Sequence, residues 1–140
     1  MLRQTQSRLQ VATDGPGLYD ITRPVLARLR ESGLTCGLIH LFCRHTSASL
    51  LLQENADPAV LEDLEAFFRR LVARDPALYR HHQEGPDDMP AHIRTALTQS
   101  HLTIPFDEGA ALLGTWQGLY LFEHRDRPHR RELIVHLSGA

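Results

Sequence analysis

Lysine is absent from this chain. All 15 basic side chains are arginine, which excludes a Schiff-base or any other lysine-dependent mechanism. Cysteine is scarce. Cys36 and Cys43 lie seven positions apart, which in a strand puts them on opposite faces. A disulfide between them is not expected, and no paired-cysteine zinc motif is present. Both read as small buried hydrophobes. No run reaches the roughly 18 apolar residues that a membrane-spanning helix needs. Met1 to Gln10 has no apolar signal-peptide core, so the expected location is cytoplasmic, with no membrane partner. A strong charge of one sign is missing too. The formal net charge is -2, which supplies no basic field to gather nucleic acid. Repeats and low-complexity segments are also lacking.

What is present is the material of one ordinary domain. A length of 140 residues with 42% hydrophobic and 23% charged side chains suits a single unit, residues 1–140, with one core. Residues 3–12 alternate weakly and read as an edge strand. Asp14-Gly15-Pro16-Gly17 marks a turn. A helix is expected from about Thr22 to Ser32, with Thr22 as its cap, Pro24 in its first turn and Gly33 ending it. Residues 34–43 are apolar on both faces, as in a central strand covered on both sides. Leu50-Leu51-Leu52 reads as β. Asp57-Pro58 opens the clearest helix, whose Val60, Leu61, Leu64, Phe67, Phe68, Leu71 and Val72 form one apolar face. A polar loop over 75–87 is long enough to suggest function. A helix follows from about Asp88 to Gln99, then strands over about 101–105, 112–124 and 131–138. The last two should form a hairpin joined by Arg125–Arg130. The order is not a βαβ repeat, so the class is α+β.

Nine histidines are more than composition predicts, and all but His129 fall into two groups. His40, His124 and His136 lie in apolar strands and read as core or subunit-contact histidines. His45, His81, His82, His92 and His101 lie in polar surroundings. His45 follows a buried strand, where scaffolds place reactive groups. His92 lies four residues after Asp88, so both project from one helix face. Glu84, Asp87 and Asp88 add carboxylates between the histidines.

Two readings of 81–92 stand. Asp87 or Asp88 caps the helix and the histidines are solvated. Alternatively His81, Asp88 and His92 hold a divalent cation, Mg, Mn or Zn, although the spacing matches no standard zinc signature. Arg44, Arg80 and Arg94 could contact phosphate. A cation with arginines suits a diphosphate leaving group. Trp116, between Gly114 and Gly118, either anchors the core or stacks on a ring-bearing ligand, with Gln117 beside it as a hydrogen-bonding group.

Several segments together resemble the YjbQ family, whose members are described as having secondary thiamine-phosphate synthase activity. The match is carried by His45-Thr46-Ser47-Ala48, Glu54-Asn55-Ala56-Asp57-Pro58, Arg80-His81, Glu84-Gly85-Pro86-Asp87-Asp88-Met89-Pro90-Ala91-His92-Ile93, Thr103-Ile104-Pro105 and Gly114-Thr115-Trp116-Gln117. The resemblance implies mixed or antiparallel β-sandwich-like sheets with three helices. It also implies a homotrimer around a threefold axis, with sites shared between neighbouring subunits. His45, His81 and His92 match histidine positions of the family; His82 does not. The activity it implies is a transferase reaction joining a pyrimidine methyl diphosphate to a thiazole phosphate with release of diphosphate. In that reaction Arg44, Arg80 and a cation on His81, Asp88 and His92 would hold the leaving group. His45 would shuttle a proton, with Glu84, Trp116 and Gln117 among the binding residues. A metal-assisted hydrolase of a small phosphorylated metabolite, or a non-catalytic trimeric metabolite- or metal-binding protein, are the alternatives.

Overall fold

The structure, a computed structural model, describes all 140 residues. Strands β1 (Arg3–Thr13) and β2 (Gly17–Asp20) precede helix α1 (Thr22–Ser32). Then come β3 (Gly37–Cys43), β4 (Ala48–Glu54), α2 (Pro58–Leu71), a 3₁₀ turn at Pro76–Leu78 and α3 (Asp88–Leu97). The chain closes with β5 (His101–Asp107), β6 (Ala110–Ala111), β7 (Gln117–Glu123) and β8 (His129–Gly139). The strands form two sheets, in the orders β1-β8-β3-β5-β6 and β2-β7-β4. Every named pairing is antiparallel. The fold is α+β. No helix is long and apolar enough to cross a membrane.

One cluster of 18 buried apolar residues fills the space between the sheets. Ile39 and Leu41, Leu102 and Ile104, and Leu133 and Val135 come from the inner face of the larger sheet; Leu50, Leu119 and Leu121 come from the smaller one; Val25 and Leu29 come from α1. Burying each such side chain contributes about 1.5–3 kcal/mol. Strand β7 is buried from Gly118 onward because α2 covers its other face. Phe68 meets Phe122 edge-on, with ring centroids 5.3 Å apart.

Several sequence expectations change. Strand β3 is central, between β8 and β5, but only one of its faces is covered. Leu38 and Phe42 are exposed on the other, and His40 beside them is half-buried. His136 shares that face and is half-buried, so among the strand histidines only His124 lies in the interior. Cys43 is buried but Cys36 is exposed, because it precedes the strand. Residues 112–124 are not one strand. The chain leaves the larger sheet after Ala111 and enters the smaller one at Gln117, with the Gln117 side chain accepting the Gly114 N–H at 2.8 Å. For the same reason β7 and β8 are no hairpin: they belong to different sheets, and residues 124–128 turn the corner between them. Thr22 is not the cap of α1; its N–H is taken by Asp20 Oδ1 at 2.9 Å, and its hydroxyl accepts the Leu119 N–H at 2.8 Å. Phe67 and Leu71 of α2 are exposed, and the one buried residue of that helix is Glu65.

Candidate metal centre

The site is assembled where α3 begins. Asp75 accepts the Ala77 N–H at 3.0 Å and Tyr79 donates to the Ala73 carbonyl at 2.6 Å, which folds the loop after α2 back on itself. Gly85 then turns the chain with φ +106°, where a Cβ would stand 3.0 Å from Asp87 Oδ1. That conformation is easily reached only by glycine. Asp87 and Asp88 follow, both buried.

Arg125, two residues beyond the buried end of β7, grips this turn with three nitrogens. Its Nε donates to Asp87 Oδ2 at 2.9 Å, one terminal nitrogen to Asp88 Oδ1 at 2.7 Å and the other to the Glu84 carbonyl at 3.0 Å. Asp87 also accepts the Asp126 N–H at 2.9 Å. It makes no side-chain cap bond to α3, so the simple capping role is not the one it plays. Burial opposes ionisation of both aspartates. The hydrogen bond and charge of Arg125 nevertheless hold Asp87 below the usual carboxylate range. For Asp88 the opposing contribution comes from His81, then Arg125 and His92, with the same net result.

With Oδ1 of Asp88 held by Arg125, Oδ2 faces two imidazoles. His81 Nε2 lies 2.5 Å away and His92 Nε2 3.4 Å away. His92 Nδ1 lies 2.9 Å from the Thr46 carbonyl oxygen. A carbonyl can only accept, so Nδ1 carries the hydrogen and the Nε2 of a neutral ring presents a lone pair toward the carboxylate. An acceptor facing an acceptor requires a positive species between them, either a proton or a metal ion. The three residues offer one ligand atom each, all within 4.8 Å of one another. Asp88 is buried and His81 is exposed, so the trio opens to solvent on one side. Two imidazoles and a carboxylate, with Arg125 donating to Asp88 and the Thr46 carbonyl accepting from His92, make a donor set suited to a divalent ion.

The other candidate residues lie around this centre or far from it. His45 is in the same loop as Thr46, and its Nε2 accepts the Glu132 N–H at 2.7 Å. Burial first, then the nearby Arg131 charge, keeps its ring below the ordinary imidazole pKa. It is therefore neutral with Nδ1–H as its free polar group, a neighbour of the trio rather than a member. Arg44 is drawn to the outer face of the larger sheet by Glu132 at 2.7 Å. Arg80 and His82 are exposed and make no ion pair. Glu84 contributes its carbonyl to Arg125, and its carboxyl lies close enough to influence Asp88. Trp116 and Gln117 are remote. Gln117 pairs with Glu54 at one end of β4, whereas Ala48, beside the His45 loop, pairs with Glu123 at the other; six residues of strand separate them by about 20 Å. Trp116 there is 63% exposed, so it does not anchor the core. His101 is exposed on β5.

Arg125 is not among the candidates that the sequence offers. The available signal is its position just past a buried strand, the same argument that singles out His45. A second polar element also escapes the sequence reading. Buried Glu123 bonds Arg131 at 2.5 and 2.7 Å and Thr13 at 2.5 Å, and Arg131 reaches Ser47 Oγ at 3.0 Å. This knot fixes the 44–47 loop that presents the Thr46 carbonyl.

Comparison with known proteins gives a consistent result. The family model described as UPF0047 protein YjbQ-like matches residues 7–140. The chain is 55% identical to UPF0047 protein sll1880 of Synechocystis sp. over 98% of this chain and 93% of that protein. It is 41% identical to UPF0047 protein YjbQ of Escherichia coli O157:H7 over 96% of this chain and 97% of that one. Its fold is similar to the crystal structure of the conserved hypothetical protein TT1486 from Thermus thermophilus, with a TM-score of 0.83 and 39% identity, covering 94% of this chain and 98% of that one.

Proposed function

The chain belongs to the YjbQ (UPF0047) family, and we propose that it is a metal-dependent enzyme acting on a small phosphorylated metabolite at the centre formed by His81, Asp88 and His92. One observation carries this reading: two imidazole Nε2 atoms and a carboxylate oxygen converge, and one ring is locked with its lone pair toward the acid. Three protein ligands with an open side are the pattern of catalytic rather than structural metal sites. Bound there, Mg, Mn or Zn supplies Lewis-acid stabilisation of charge on a phosphate group.

Within this reading, Arg125 keeps Asp88 ionised and oriented, and Thr46 keeps His92 in the ligating tautomer. Arg80, next to His81 in the chain and without an ion-pair partner, is available to a phosphate oxygen, as is the Nδ1–H of His45. Arg44, occupied by Glu132, contributes less than its sequence position suggests. The reaction is a transfer of thiamine-phosphate synthase type: the thiazole nitrogen of a thiazole phosphate bonds to the methylene carbon of a pyrimidine methyl diphosphate, whose C–O bond breaks to release diphosphate. The homotrimer is part of the same proposal. Within one chain Trp116 and Gln117 cannot reach the centre, so a role for them in binding requires the neighbouring subunit.

A second reading, hydrolysis of a phosphate ester, is favoured by the solvent-open side of the trio. One assay separates the two. Tag-free protein is incubated with the pyrimidine diphosphate and Mg, Mn or Zn, with and without the thiazole phosphate. Cation-dependent release of diphosphate only when both substrates are present supports transfer; release of phosphate or diphosphate without the thiazole supports hydrolysis. His92→Ala should lower either rate on the order of 100-fold or more by weakening cation binding. Unchanged turnover in that variant removes the centre from the mechanism.

A further inference from the structure

The outer face of the larger sheet holds a second group of imidazoles, far from any carboxylate of the first centre. The register places Gln6 of β1 opposite His136 of β8, His136 opposite His40 of β3, and His40 opposite Thr103 of β5. These four side chains therefore form one row across four strands. Directly opposed residues in antiparallel strands have Cβ atoms about 4.5–5.5 Å apart. The two rings accordingly stand with centroids 5.8 Å apart, tilted by 50°.

The outer members of the row orient the inner ones. His136 Nδ1 lies 2.9 Å from Gln6 Oε1, and His40 Nδ1 lies 3.3 Å from Thr103 Oγ1. The amide oxygen only accepts, so His136 carries its hydrogen on Nδ1. Gln6 and Thr103 flank the pair from opposite sides, so each Nδ1 is held away from the other ring. Both Nε2 atoms are thereby left outside the row's hydrogen bonds. Neither Nε2 has a hydrogen-bond partner, and both rings line an open groove of about 560 Å³.

We infer that His40 and His136 form a second transition-metal site, a two-imidazole site on an open sheet face, independent of the His81, Asp88 and His92 centre. His136 donates its Nδ1–H to Gln6 as metal-binding histidines characteristically do with the nitrogen that does not ligate, and the Thr103 hydroxyl can accept the same bond from His40. The ion class follows from ligand type and charge. Imidazole suits Cu, Zn and Ni, whereas Mg and Mn prefer oxygen. In the groove Arg8 and Arg44 share the single carboxylate of Glu132, at 3.3 and 2.7 Å, which leaves one excess positive charge. That charge weakens cation binding and selects for the strongest metal–imidazole bonds, which among the divalent first-row ions are those of Cu(II).

The test titrates chelator-stripped, tag-free full-length protein with Cu(II), following bound equivalents by calorimetry and the nitrogen ligands by electron paramagnetic resonance. Four proteins are compared: the natural chain, Asp88→Asn/His92→Gln, His136→Gln and His40→Gln. Folding of each is checked by circular dichroism. The double variant should retain one Cu(II) equivalent with two nitrogen ligands. His136→Gln and His40→Gln should each lose that equivalent while leaving any equivalent at Asp88 and His92 in place. The inference is overturned if the double variant binds no Cu(II), or if both single histidine variants bind as the natural chain does. Because the two centres are removed separately, failure of one leaves the other still measurable.

Discussion

At the scale of single residues, the decisive feature is how few side chains near the centre are free to move. Asp88 has both carboxylate oxygens engaged, His92 has its tautomer set by a backbone carbonyl, and His45 has its Nε2 committed to the Glu132 N–H. His124 lies below this layer with Nε2 2.9 Å from Ser49 Oγ. Burial first, then the charge of Arg94, lowers its pKa to about 3 from 6.5. In the folded chain its ring stays neutral down to that value, whereas in the unfolded chain it takes up a proton below 6.5. Between the two the unfolded chain binds more protons, so stability falls as pH falls. From near pH 7 to about pH 5 this one group should remove about 2 kcal/mol. Urea unfolding of the natural chain and His124→Gln at both pH values should show the variant losing that much less. Equal losses would place the ring in a more polar environment than the structure gives it.

At the scale of elements, α2 and α3 are joined by a buried ion pair. Arg94 bonds both oxygens of Glu65, at 3.0 and 3.2 Å, and both residues are buried. Breaking such a pair from one side leaves an uncompensated charge and costs about 3–5 kcal/mol, while replacing both partners by apolar groups is often neutral. Arg94→Met should therefore lower the urea midpoint strongly, and Glu65→Leu/Arg94→Met should recover most of the loss. No recovery in the double variant would mean that the pair is not the tether. The same helices show what the sequence could reveal. The period of α2 and the Asp-Pro that opens it are legible because they are local signals, as is the proline in the first turn of α3. Strands β2 and β6, four and two residues long, are too short to carry a pattern. The corner after β7 reads as a hairpin in the sequence because strand pattern states which face is buried, not which sheet a strand joins. His81, Asp88 and His92 can be grouped from their density and the four-residue spacing. Arg125 cannot, since its bond to Asp88 spans 37 residues and exists only once the sheets have packed.

At the scale of the whole molecule, the smaller sheet separates two polar ends. The candidate centre lies by the Ala48 end of β4, and Trp116 with Gln117 lies by the Glu54 end. A head-to-tail arrangement around a threefold axis would bring one end of each chain to the other end of its neighbour, as closed heterologous rings do. Light scattering should then give three times the chain mass, and Trp116→Ala should impair substrate binding without unfolding the chain. A monomer with full activity would separate Trp116 from the function. Beneath all of this is the claim that the loop before α3 and the start of that helix build a cation site. The most direct measurement is Zn(II) and Mn(II) titration of chelator-stripped, tag-free His136→Gln protein with and without Asp88→Asn. One bound equivalent, weakened on the order of 10–100-fold or lost when Asp88 becomes amide, is the predicted result. An equivalent bound with the same affinity in both proteins, or none in either, would contradict it.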